Sequence, residues 1–367
     1  MIEIGRTKRA TKAYSLDDVA IVPTRRTRGI EEVDLTWRID ALQLEFPLVA
    51  APMDSVMSPA TAITLGQLGG LGVLNLEGLW TRYADPEPHL AELAEIADAP
   101  AATKRMQELY SEPVKAELIT ARLDEIRQAN VPVAGALSPQ LTREFAGVVE
   151  RAGVDLFVIR GTTVSAEHVS SLAEPLNLKE FIYNLDVPVI VGGCASYQTA
   201  LHLMRTGAAG VLVGFGGAST RRTRSVLGVE VPMATAIADA ADARRDYLDE
   251  SGGRYVQVIA DGGVGGSGDI AKAIVCGADA AMVGRPLAQA TEAPGRGYHW
   301  GAEAWHPRLP QGRRERFDTV GTLEEILLGP SRVADGTMNL VGALRKAMAT
   351  TGYTVVKEFQ RAELVVH

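Results

Sequence analysis

The 367-residue chain has a formal net charge of −8, with 46% apolar and 22% charged residues. That balance belongs to a packed globular protein rather than a disordered one. The acidic excess argues against a nucleic-acid-binding surface, which needs a basic patch. Two cysteines, Cys194 and Cys276, make neither a disulfide framework nor a CxxC metal pattern. No apolar core follows the basic N-terminal residues, and no apolar run approaches the ~20 residues that span a bilayer. The expected location is the cytoplasm, away from membranes.

Short apolar segments rich in β-formers recur along the chain, with helical patterns between most of them. The first, PLVAAP (47–52), precedes the helical pattern PATAITLGQLGG and the second segment, LGVLNL (71–76). Residues 77–130 then read as about three polar helical stretches, with AELAEIADAP and AELITARLDEIRQA the clearest. Segments VPVAGAL (131–137), VDLFVIRG (154–161) and VPVIVGG (187–193) follow, then the helix YQTALHLMRTGAA and the sixth segment, AGVLVGFG (209–216). VQVIADGG (256–263), the helix GSGDIAKAIVCGADA and AAMVGRP (280–286) complete the series at eight.

Buried strands alternating with helices predict parallel βαβ units. The related stretches RAGVDLFVIRG, RTGAAGVLVGFG and VCGADAAMVGRP each combine a helix end, a glycine turn and the next strand. Eight such units favour an α/β fold of the (β/α)8 TIM-barrel type over a pair of flavodoxin-like or Rossmann domains. The prediction is one domain over 1–367, with 77–130 as a helical insertion after strand 2. Residues 292–321 lack apolar periodicity and carry Trp300, Trp305, His299 and His306. They read either as a lid over the barrel mouth or as a surface loop packed by its own tryptophans.

In a TIM barrel the C-terminal strand ends form the active face, with phosphate bound near strands seven and eight. Gly262, Gly263 and Gly284 stand at those ends and would let backbone N–H groups approach phosphate oxygens, helped by the helix opening near Gly268 and Asp269. Asp261 suits accepting hydrogen bonds from a sugar diol. After the sixth segment, VGFGGASTRRTR combines a glycine turn with Arg221, Arg222 and Arg224, which suits an anion.

Five fragments in register carry a family resemblance: AYSLDDVAIVP, PLVAAPMDSV, VGFGGASTRRTRSVLGVEVP, VIADGGVGGSGDIAKAIVCGADAAMVG and LVGALRKAM. The chain resembles the IMP dehydrogenase/GMP reductase family over most of its length. The resemblance implies a tetrameric barrel that binds a purine nucleotide and a nicotinamide cofactor, NAD or NADP. In that family a loop cysteine attacks C2 of the base, and the redox step runs through a thioimidate. Residues 77–130 are too few for the paired regulatory modules that IMP dehydrogenases insert after strand 2.

Carried over residue by residue, the resemblance places Asp261 at the ribose hydroxyls and Gly263, Gly284 and Ser219 at the phosphate. Met53 falls near the base, and Gly214, Gly216, Thr223 and Arg224 fall on the loop. It puts Arg221 at the nucleophile, and an arginine cannot supply a thiolate. Gly217 and Ala218 replace the loop's proline and second glycine, so a monovalent cation is not carried over. The acid that engages the nicotinamide ribose becomes Arg160, an asparagine near the base becomes Gly193, and a serine becomes Arg285.

Arg160, Arg221 and Arg285 would make the mouth cationic, suiting a ligand with more phosphate or tighter monophosphate binding. The alternative pairs them with lid acids such as Glu303 or Glu315. Thr223, Arg221 and Glu303 are the candidate catalytic residues, and Cys194 is a thiol that could reach the mouth from strand five.

Overall fold

The computed structural model describes every residue except 1, 162, 170–174, 215–222 and 310–311. Eight strands close into one parallel barrel in chain order. They are β1 (Leu48–Ala50), β2 (Leu71–Asn75), β3 (Ala134–Leu137), β4 (Leu156–Arg160), β5 (Val189–Cys194), β6 (Gly210–Val213), β7 (Gln257–Asp261) and β8 (Ala280–Val283). Seven lie within the predicted apolar segments, and β5 runs one residue past the fifth, to Cys194. Closure is made by β8 beside β1, where Met282 sits opposite Val49. The strand residues are mostly apolar and almost all buried, as a sheet covered on both faces requires.

Local signals place the helices. Ser58, Ser138 and Ser196 each accept a backbone N–H through the side chain at the start of helices Pro59–Gln67, Pro139–Ala152 and Tyr197–Met204. Each cap satisfies a donor that the first turn leaves unpaired. Gly72 lets the first of these helices close on β2, since a Cβ there would stand 2.6 Å from the Ala62 Cα.

The stretch expected to be one insertion divides. Helix Ala116–Gln128 packs against helices Pro59–Gln67 and Pro139–Ala152 and is the outer helix of the second βα unit. Glu87–Glu95 and Ala99–Leu109 are the added pair. Residues 298–299 and 315–316 pair as a short antiparallel ribbon within the aromatic segment after β8. Among the described residues, no helix is long and apolar enough to cross a membrane.

Candidate active site at the barrel mouth

Arg160 ends β4 and Asp261 ends β7, three strands away around the barrel. Their side chains meet across the mouth as a fork: Arg160 Nε donates to Asp261 Oδ2 at 3.0 Å and Nη2 to Oδ1 at 3.2 Å. Only 18% of the Arg160 side chain and 12% of that of Asp261 is exposed. Burial opposes the guanidinium charge, but Asp261 and the nearby Glu303 outweigh it and hold the Arg160 pKa above its usual value.

On the β7–β8 side lie the glycine ends. Gly262 and Gly263 turn the chain at φ +117° and +68°, a backbone region that glycine enters without a steric penalty. Gly214 is fixed by contact, because a Cβ on it would stand 1.8 Å from the Asp261 carbonyl oxygen. The helix here is Ser267–Val275, and part of its N-terminus is already engaged. Gly265 N–H donates to Asp269 and Ser267 N–H to the Gly336 carbonyl. Fewer donors are therefore left for a phosphate than the glycine count suggests. Arg285 is exposed, with its guanidinium 4.7 Å from the Phe317 ring centre.

On the β1–β4 side lies a cavity of about 660 Å³. Its walls include the ends of β1 to β4, with Met53, Glu77 and Arg160, and its roof includes Trp300, Glu303 and Trp305. The roof is tied down by a relay. Trp300 Nε1 donates to Tyr110 Oη at 3.1 Å, and Tyr110 donates to Asp54 at 2.5 Å. Trp305 stacks on Tyr110 with ring centres 4.3 Å apart. Asp54 also accepts from Leu79 N–H and Asn75, yet burial raises its pKa against those bonds.

His299 sits between the two halves, buried, with Nδ1 3.0 Å from the Ser55 hydroxyl. A Cβ at Gly284 would lie 3.5 Å from both His299 Cε1 and Met53 Sδ. Burial, reinforced by Arg285 and Arg160, brings the imidazole pKa down to about 3, so the ring is neutral at ordinary pH.

The family model for the IMP dehydrogenase / GMP reductase domain matches residues 13–305. The chain belongs to the IMP dehydrogenase/GMP reductase family. An uncharacterized oxidoreductase of Mycolicibacterium smegmatis is 51% identical, with both chains covered in full. Inosine-5′-monophosphate dehydrogenase of Methanocaldococcus jannaschii is 28% identical over 78% of this chain and 74% of its own. The crystal structure of an IMP dehydrogenase/GMP reductase-like protein from Corynebacterium glutamicum superposes with a TM-score of 0.94. It is 50% identical and covers 100% of this chain and 97% of its own.

The family's thiol chemistry has no counterpart among the described residues. Cys194 is 3% exposed, its S–H points to the Leu212 carbonyl at 3.4 Å, and burial pushes its pKa to about 12. Cys276 caps the C-terminal end of helix Ser267–Val275, and burial pushes its thiol to about 11. Gly216, Ser219 and Arg221 lie outside the described residues. Thr223 is fully buried, and its hydroxyl has no hydrogen-bond partner among them. Arg224 is exposed and pairs with Glu230 at 3.3 Å.

Arg160 was expected to serve a cofactor or to meet acids of the lid. Its hydrogen-bonded partner is Asp261, with Glu303 as a neighbouring charge. The sequence does not mark Asp54, Ser55 or Tyr110 as site residues, and it offers His299 only as part of the aromatic segment. Asp54 and Ser55 directly follow Met53 in the quoted PLVAAPMDSV fragment, so their place at a strand end was available as a signal. Tyr110 had no such signal, because its role depends on how the inserted helices fold back.

Proposed function

We propose that the chain is a purine-nucleotide-binding member of the family, taking IMP or GMP at the β7–β8 side of the mouth without cysteine-dependent turnover. The observation that carries this is the state of the thiols: of two cysteines, one is buried against a carbonyl and the other closes an outer helix. Neither gives the thiolate that would attack the base. Asp261, Gly262, Gly263, Gly284 and Arg285 are assigned to the ribose and phosphate, with Ser219, Gly214 and Gly216 from the loop and Met53 beside the base. The buried Thr223 hydroxyl, which has no hydrogen-bond partner among the described residues, supports a ligand near the loop, since such groups are normally satisfied.

A nicotinamide cofactor, NAD or NADP, is the family's redox partner and would supply or accept a hydride. The cavity has the volume for its ring, but the fit fails in two respects. Arg160 stands where the family has the acid for the nicotinamide ribose, and the Arg160–Asp261 pair separates the cavity from the nucleotide. The mouth is therefore assigned no redox step. The segment 292–321 is assigned as the lid, with Glu303 inside it, and the assembly as a cytoplasmic homo-tetramer.

Calorimetric titration with IMP, GMP, their di- and triphosphates and free inosine tests the binding reading. Saturable binding of a phosphorylated purine, at least about tenfold tighter than inosine, is expected from charge-assisted phosphate contacts. Equal binding of IMP and inosine, or none, would overturn it.

A further inference from the structure

The Arg160–Asp261 fork bears on which sugar the mouth accepts, and the inference rests on Asp261 being the sugar acid. A carboxylate binds a bidentate partner along the edge between its two oxygens. The Arg160 guanidinium holds that edge, with one N–H to each oxygen at 3.0 and 3.2 Å. A cis-diol needs the same edge, so it and the guanidinium compete.

The competition is between comparable bonds. Each hydroxyl that reaches Asp261 displaces a charge-assisted bond of about the same strength. The displaced guanidinium would then have to find a partner in a largely enclosed site. The lid acid Glu303 is near enough to perturb Arg160, and both border the same cavity. The diol is thus exchanged for a bond already present and adds little net affinity. The phosphate cradle lies on the other side of the fork and keeps its own contacts.

We infer that Arg160 is a specificity-determining residue that cancels the recognition of the ribose diol. The mouth therefore accepts ribose, deoxyribose and dideoxyribose purine 5′-monophosphates with similar affinity. Ligand class is set by phosphate and base, and the sugar is only a spacer. A site whose sugar acid stood free would instead reject an analogue lacking the hydroxyls, because buried acceptors would lose their donors.

The test compares dissociation constants for inosine 5′-monophosphate and 2′,3′-dideoxyinosine 5′-monophosphate by calorimetry. The unmodified chain, Arg160→Gln and Arg160→Lys are titrated at matched pH and salt. The phosphate and base are common to both ligands, so the ratio isolates the diol.

The ratio is expected within about threefold for the unmodified chain and at or above about tenfold for Arg160→Gln, with Arg160→Lys between them. Arg160→Lys keeps the charge but not the fork. Should Arg160→Gln fail to fold, a ratio for Arg160→Lys above that of the unmodified chain supports the inference. The same ratio in every folded protein, whatever its size, overturns the inference and leaves the nucleotide reading standing. Absence of binding by either ligand to any folded protein overturns both.

Discussion

At the scale of single residues, His299 has the most directly measurable environment. Its pKa falls from an ordinary 6.5 to about 3 on folding, through burial and the charges of Arg285 and Arg160. Between those two values the unfolded chain binds the proton and the folded chain does not, so His299 makes stability fall as pH drops below about 6.5. Above that pH the contribution is constant. The slope approaches about 1.4 kcal/mol per pH unit. Urea unfolding of the unmodified chain and His299→Asn should show their stability difference shifting by about 2 kcal/mol between pH 7 and pH 5. The shift should be to the disadvantage of the unmodified chain, and parallel pH profiles would contradict this environment.

At the scale of elements, the roof and the inserted helices act as one unit. Arg296 of the roof segment pairs with Glu87 at 2.7 Å, and Arg314 reaches the Leu93 and Ile96 carbonyls at the end of the same helix. Tyr110 is the hinge pin of this contact because its hydroxyl both donates to Asp54 and accepts from Trp300. Tyr110→Phe keeps the stack on Trp305 but removes both bonds. It should cost about 1–3 kcal/mol and raise quenching of tryptophan fluorescence by acrylamide. Unchanged stability and quenching would show that the relay does not hold the roof.

Little of this unit was legible in the sequence. The aromatic loop and the polar helices were visible separately, since composition and period are local properties. Their mutual contact depends on where two distant segments fold over the barrel, which periodicity does not encode. The strand-end residues are the opposite case. Asp261 could be placed from a strand pattern alone, because the last residue of a barrel strand faces the mouth by geometry. That Arg160 and Asp261 touch was beyond such a reading: it depends on long-range barrel geometry and side-chain rotamers.

At the scale of the molecule, eight short, mostly apolar strand segments alternating with helical patterns point to the closed barrel, and most of the segments are bounded by glycine or proline. The features that bear on function meet at the mouth. A partly buried ion pair crosses it, between a roofed cavity and a glycine-rich cradle, and no activated thiol faces either half among the described residues. The central claim is that the nucleotide binds without cysteine-dependent turnover. The decisive measurement follows nicotinamide absorbance at high protein concentration, with IMP plus NAD and separately GMP plus NADPH, for the unmodified chain and Cys194→Ala. The account predicts no absorbance change with either protein under conditions where calorimetry shows the nucleotide bound. Turnover by the unmodified chain that disappears in Cys194→Ala would contradict it, by showing that the buried thiol is the nucleophile after all.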